Sequence, residues 1–164
     1  MVVKLFFKDN FFNAGETEIL NESAELIGML DLKSAFGSSL EICDSKRNLI
    51  CSGSFPFFSS KWKVIDSHDN QLGLLRARLS MFSKKFEYET EDSSLYEIKS
   101  PAFSKSYEVF KNDGTCIAQF EKVNGWLQSD AYCLDNHSEH IDDYELIAVI
   151  MGVNAIQKRQ NNSS

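Results

Sequence analysis

Proline is nearly missing from this chain: only Pro56 and Pro101 occur in 164 residues. Little therefore interrupts extended backbone, because a strand interior tolerates proline least. No cysteines are paired as Cys-x-x-Cys. The four present, Cys43, Cys51, Cys116 and Cys133, read as reduced thiols of a cytoplasmic protein. Basic charge is in deficit, with a net charge of −7. That argues against a nucleic-acid binder and against a polybasic membrane anchor, although a local patch could escape the average. No GxSxG, HExxH, GxxxxGKS or GxGxxG spelling is present, so no catalytic motif and no cofactor is expected. The opening Met1–Asp9 has too short an apolar segment for secretion, and neither end carries a lipidation motif. No apolar run approaches the roughly 20 residues that cross a bilayer, so no transmembrane segment is expected.

The longest apolar run is Leu146–Met151, inside the stretch Tyr144–Ile156. Its apolar residues do not keep to one face. A helix built here is greasy on every side and must be buried on every side. Periodicity alone leaves a strand open for so short a run. The flanks favour helix: Asp142 and Asp143 precede it and Lys158 and Arg159 follow it, charges that suit the macrodipole at both ends.

Aromatics are plentiful, with 13 Phe, and together with scarce proline they favour strands. Val2–Lys8 reads as a first strand, and 9–15 as a turn-rich gap containing Phe11 and Phe12. A pattern then recurs from Thr17, Leu40, Trp62, Phe86 and Tyr107, with a sixth copy beginning at Ala131. Each full copy is an alternating strand, a polar turn of Asp, Asn, Ser, Gly or Lys, and a second strand, which is a β-hairpin signature. Spacing this regular marks a repeat. Short links rich in Ser, Gly and Phe join the hairpins into a meander.

The segments amount to about twelve strands followed by one helix. Left open, such a meander would expose two edges and one greasy face. Closure into a barrel removes the edges and creates an interior to fill. The fold class expected is therefore mainly β (α+β): a closed, roughly twelve-stranded antiparallel barrel around a central hydrophobic C-terminal helix. Residues 1–158 would form a single domain and 159–164 a polar tail, with Gln157–Ser164 frayed. Alternation points Ile19, Ile42, Val64, Tyr88 and Val109 inward, and Glu18, Glu41, Lys63, Glu87 and Glu108 outward.

Six hairpin repeats with Asp/Asn/Gly turns, followed by an apolar helix introduced by Asp142-Asp143-Tyr144, resemble the tubby C-terminal-like fold. Within it the sequence is similar to the LURP-one-related and YxjI-like proteins over roughly Val3–Lys158. The resemblance implies a barrel threaded by a hydrophobic helix. It also implies that a basic surface on neighbouring strands could take a phosphoinositide-type headgroup, as in tubby proteins.

The candidate for such a site is a basic island, Lys61, Lys63, Arg76, Arg78, Lys84 and Lys85, set against only Asp66 and Asp69 in the local sequence. Lys61 and Lys63 flank Trp62, and Arg76 and Arg78 flank Ala77, so each pair shares an outward face. Four cations on adjacent strands suit an oxyanion, which Arg grips bidentately. The alternative is a solvated strand surface. A second stretch, Asp135–Asp143 with Cys133 nearby, holds His137, His140 and several carboxylates but matches no metal-ligand spacing, and no metal is expected there. Asp142 or Ser138 could instead cap the helix. The cysteines fall in strands, where a thiol is usually apolar filler, and His68 sits in a turn with no partner nameable from sequence. The link phenylalanines Phe36, Phe55, Phe57, Phe58, Phe82 and Phe103 are expected to plug the barrel ends, with an exposed aromatic rim as the other reading.

The expectation is a non-catalytic binding module for an anionic phospholipid headgroup or another phosphorylated small molecule, cytoplasmic and peripheral at a membrane. The alternative is a protein-interaction or scaffold domain with no lipid role.

Overall fold

The computed structural model describes residues 3–8, 10–13, 15–33, 38–78, 84–100, 105–126 and 129–163. The strands are β1 (Val3–Lys8), β2 (Gly15–Leu20), β3 (Leu26–Leu32), β4 (Ser39–Asp44), β5 (Leu49–Ser54) and β6 (Trp62–Asp66). They continue as β7 (Gln71–Arg78), β8 (Lys84–Thr90), β9 (Leu95–Ser100), β10 (Tyr107–Lys111), β11 (Cys116–Trp126) and β12 (Ser129–Asn136). The helix α1 (Asp143–Asn162) follows. Each strand pairs antiparallel with its sequence neighbours, and β1 closes on β12 from Val3↔Asn136 to Lys8↔Ala131. The expected barrel is thus observed. β11 is the longest strand and runs past Val123 as far as Trp126.

Why five hairpins form is visible at one level below the strand. Asn21, Asp44, Asp66, Thr90 and Lys111 each follow a repeat start by four residues. Each accepts on its carbonyl oxygen from the N–H three residues on and donates its N–H to the carbonyl four residues on, at 2.9–3.3 Å. The fourth residue of every turn, Ala24, Arg47, Asp69, Ser93 or Gly114, is left-handed, with φ from 62° to 84°. This is a type I turn closed by a residue in the left-handed region. In three turns the first side chain, Asn21, Asp44 or Asp66, also accepts two backbone N–H groups through Oδ1. Such Asx bonding is why Asp and Asn recur at these positions.

Alternation sorts the faces as expected. Ile19, Ile42, Val64, Tyr88 and Val109 are buried, while Glu18, Glu41, Lys63, Glu87 and Glu108 face outward, half-buried or exposed. An apolar lumen and charged outer positions reverse the pattern of a membrane-spanning barrel.

The helix fills the lumen. Every residue from Glu145 to Ile156 is buried. Asp142 is its N-cap, accepting from the Glu145 N–H at 2.9 Å, a contact worth about 1 kcal/mol. Ser138 stays outside the helix and accepts from the N–H groups of His140 and Ile141. Trp62 spans the gap between wall and helix: its Nε1 donates to the Ala148 carbonyl at 3.1 Å. A Cβ added at Gly152 would lie 2.3 Å from the Trp62 ring, and one at Gly53 2.5 Å from it. The two glycines are the slot in which the indole lies. The frayed tail expected from Gln157 is instead helical through Asn162. It is tied down by Tyr107 Oη donating to Gln157, Lys158 Nζ donating to the Phe12 carbonyl, and Arg159 donating to the Ser59 carbonyl.

An aromatic plug closes the barrel around the helix exit, but not with the phenylalanines expected. Phe11 and Phe12, from the gap after β1, are buried against Phe7, Phe120 and Tyr132. Phe55 is half-buried, edge-on to Trp62. Phe57 and Phe58 are 89% and 96% exposed, so for these two the expected plugging role is wrong. Phe36, Phe82 and Phe103 lie outside the described residues.

Candidate functional site

Because the barrel is a closed meander, its five hairpin turns lie at one end and the links between hairpins at the other. The helix enters at the turn end, where Tyr144 Oη donates to the Ile27 carbonyl. It leaves at the link end beside Ser59.

Charge is segregated between these ends. The turn end carries Asp44, Asp66, Asp69, Glu91, Asp92 and Asp113 in the hairpins and Asp142 and Asp143 at the helix start, against the cations Lys46, Arg47 and Lys111. The carboxyls of Asp44, Asp66, Asp92 and Asp113 are held below their ordinary range, chiefly by side-chain hydrogen bonds from Asn48, Asn70, Thr90 and Thr115. The link end carries Lys61, Lys84, Lys105, Lys158 and Arg159; Glu16, Asp31 and Glu41 also lie toward this end, on β2, β3 and β4, where Asp31 and Glu41 pair with Lys33. Lys158 is held below its ordinary lysine range by burial and then by Lys105, so these two cations lie close together. Cations here also complement the negative end of α1.

All six residues of the expected basic island fall at this link end, on β6, β7, β8 and the link before β6. Register pairs Arg78 with Lys85, and Lys85 with Lys99, so a cationic row crosses three strands and gains Lys99. The next row pairs Arg76 with Glu87 and Glu87 with Glu97. Glu87 receives both arginines: Arg76 Nε donates to Oε1 at 3.0 Å, and Arg78 Nη1 lies 3.1 Å from Oε2. Lys85 and Lys99 flank Glu97 at 3.5 and 3.7 Å. Lys61, Lys63 and Lys84 have no ion-pair partner among the described residues. The island is therefore half committed to carboxylates from the neighbouring hairpin and half open. Asp66 and Asp69, its neighbours in sequence, sit toward the opposite end.

A family model of LURP-one-related proteins matches residues 3–153. The chain belongs to the LURP-one-related family. A crystal structure of a protein from Arabidopsis thaliana is similar to it with a TM-score of 0.58 and 13% identity, over 98% of this chain and 91% of that one. At that identity the likeness speaks for the fold. No curated protein matches the sequence.

The other residues singled out from sequence lie apart in this LURP-one-related chain. Asp135 Oδ1 meets His137 Nε2 at 3.0 Å. His140 sits on the acidic rim, in a depression of about 340 Å³ lined also by Leu72, Thr90, Glu91, Asp92, Tyr96 and Glu145. Among the described residues no three His, Cys, Asp or Glu side chains are grouped to hold a metal. All four thiols are free. Burial pushes each of them up, Cys133 to about 11, which is the reverse of nucleophile activation. Among the described residues no helix is long and apolar enough to cross a membrane.

Two features escaped the sequence reading. Glu145, on the helix, is buried and accepts from Tyr88 Oη at 2.7 Å. Burial raises its carboxyl to about 7. Outside the barrel, Trp126 stacks on Phe6 at 4.3 Å, and Phe6, Leu20, Cys133 and Val123 complete a small apolar cluster. Alternation hints at Phe6, which points opposite to Leu5 and Phe7. Nothing local foretells the fold-back of Trp126 at the β11 bulge.

Proposed function

We propose that this LURP-one-related chain is a non-catalytic binding module that takes an anionic phospholipid headgroup, or another phosphorylated ligand, at the cationic link end of its barrel. The observation that carries the reading is the segregation of charge in a chain of net −7. Lys61, Lys63 and Lys84 stand open there beside the Arg78–Lys85–Lys99 row. An approaching anionic surface attracts this end and repels the other, so the molecule is oriented before contact. The free thiols suit the cytoplasmic side, where anionic lipids concentrate.

The test is co-sedimentation with phosphatidylcholine vesicles with and without phosphatidylserine or phosphoinositide. Binding is expected only with the anionic lipid and should weaken as salt rises. Lys61→Glu together with Lys63→Glu should lose about 1 kcal/mol or more per charge. These positions are better probes than Arg76 and Arg78, whose removal would also unmask Glu87. Binding that ignores salt and both substitutions would overturn the reading. The acidic turn end supports a second reading, a scaffold for a basic protein partner. A stoichiometric partner lost on Asp92→Asn and Glu91→Gln, with vesicles ignored, would favour it.

A further inference from the structure

Phe57 and Phe58 are the most exposed large apolar side chains among the described residues, and their ring centroids lie 4.1 Å apart. They form the apex of a four-residue turn in the link between β5 and β6, closed by the Ser59 N–H donating to the Pro56 carbonyl at 3.0 Å. Phe58 occupies the third position with φ +56°, where a turn of this type normally takes glycine. A bulky residue at positive φ costs stability, and with 96% of Phe58 exposed only the likewise exposed Phe57 ring lies against it. The turn is braced from below. Arg159 at the end of α1 donates to the Ser59 carbonyl at 2.8 Å and lies 3.6 Å over the Phe55 ring. Ser59 Oγ accepts from the Lys61 N–H. The helix that fills the barrel thus also holds the aromatic apex in place.

We propose that the Phe57–Phe58 turn is a membrane-insertion tip that seats its two rings among the lipids of an anionic bilayer while the surrounding cations meet the headgroups. Charge complementarity selects this occupant. Lys61 and Arg159 sit close behind the tip, the row through Arg78 and Lys85 lies on the adjoining wall, and the acidic turns are at the far end. A protruding pair of rings backed by cations matches the layering of an anionic membrane, apolar within and charged at its surface. The inference rests on the cationic-end reading above and narrows its ligand to lipid in a bilayer rather than a free phosphorylated molecule.

The test uses Phe57→Ser and Phe58→Gly in the full chain, on phosphatidylcholine vesicles containing phosphatidylserine and, separately, on soluble inositol hexakisphosphate. Each substitution should weaken vesicle binding about tenfold and leave inositol hexakisphosphate binding unchanged. Phe58→Gly should also raise the Tm, separating a lost contact from a damaged fold. Tryptophan emission of Phe57→Trp should be quenched by acyl-brominated lipid more than that of wild type. If both variants bind vesicles as wild type does, the tip is overturned while the cationic reading stands. Wild-type binding to inositol hexakisphosphate but not to vesicles has the same meaning. Wild type that binds neither overturns both. A wild-type dimer abolished by Phe57→Ser would assign the tip to a second copy of the chain and overturn the membrane reading.

Discussion

Glu145 lies on the helix face toward Tyr88, buried in the barrel with Asp142 and Asp92 as its nearest acidic influences. Its carboxyl titrates at about 7 against an ordinary 4.5, first because of burial. A carboxyl whose folded value is raised binds its proton more tightly folded than unfolded. Its stabilising proton is fully present below pH 4.5 and is lost as pH rises toward 7. The cost of the ionised form at neutral pH is roughly 3 kcal/mol. Glu145→Gln keeps an oxygen for the Tyr88 hydroxyl and removes the titration. Melting temperature measured from pH 5 to 8 should fall in the wild type and stay level in the variant, which becomes the more stable protein at pH 8; parallel curves would contradict this. The hairpin aspartates, whose carboxyls are held low, act in a separate and more acidic window. The importance of Glu145 was not legible in the sequence. Asp142-x-x-Glu145 spells a helix start, and only the position of Tyr88 on the facing strand shows where the carboxylate turns. The two Phe-Phe pairs make the same point. Asn10-Phe-Phe-Asn13 and Pro56-Phe-Phe-Ser59 look alike as links, yet one is swallowed by the barrel and the other stands in water.

Among elements, the hairpin is the unit in which sequence speaks most directly. Repeat starts at Thr17, Leu40, Trp62, Phe86 and Tyr107 all point inward and are buried, because alternation has only two phases and a closed lumen enforces one of them. The turns impose their own demand, a left-handed fourth residue. Gly114 meets it without strain, whereas Ala24 meets it at φ 62°. Ala24→Gly should therefore raise stability by about 0.5–1 kcal/mol and Gly114→Ala lower it by about 1 kcal/mol. Urea denaturation checks both, and changes of the same sign would refute a shared turn geometry. What the hairpin does not encode is its register with the next hairpin. Arg76 and Arg78 read as open cations until β8 is laid alongside β7 and Glu87 falls between them. The link 79–83 says nothing about that alignment, so the basic island was legible as a place but not as a charge balance.

At the scale of the whole molecule, wall and helix are mutually required. The lumen is lined from β1 through β12, and Leu146, Ile147, Ala148, Val149, Ile150 and Met151 fill it. An apolar run with no polar face could be read as a buried core element before any strand was placed, which is why the architecture was legible from so little. Ile147→Asp would set an unpaired carboxylate inside the barrel, at a cost of several kcal/mol, comparable to the whole stability of such a domain. No cooperative melt should remain by circular dichroism. A soluble variant that melts sharply would show that the barrel stands without its filling. The opposed charges of the two ends emerge only at this scale, since turns and links alternate along the chain and a running charge average mixes them.

The seam between β1 and β12 sets the timetable of assembly. Val3 and Asn136 are partners across almost the whole length of the strand region, and α1 is made after both. A sealed ring would not admit a twenty-residue helix, so the seam must zip only once the helix is embraced. During synthesis β1 can meet β2 at once, but its other neighbour, β12, is made last of the strands, and until the two join, two unpaired edges stay open to other chains.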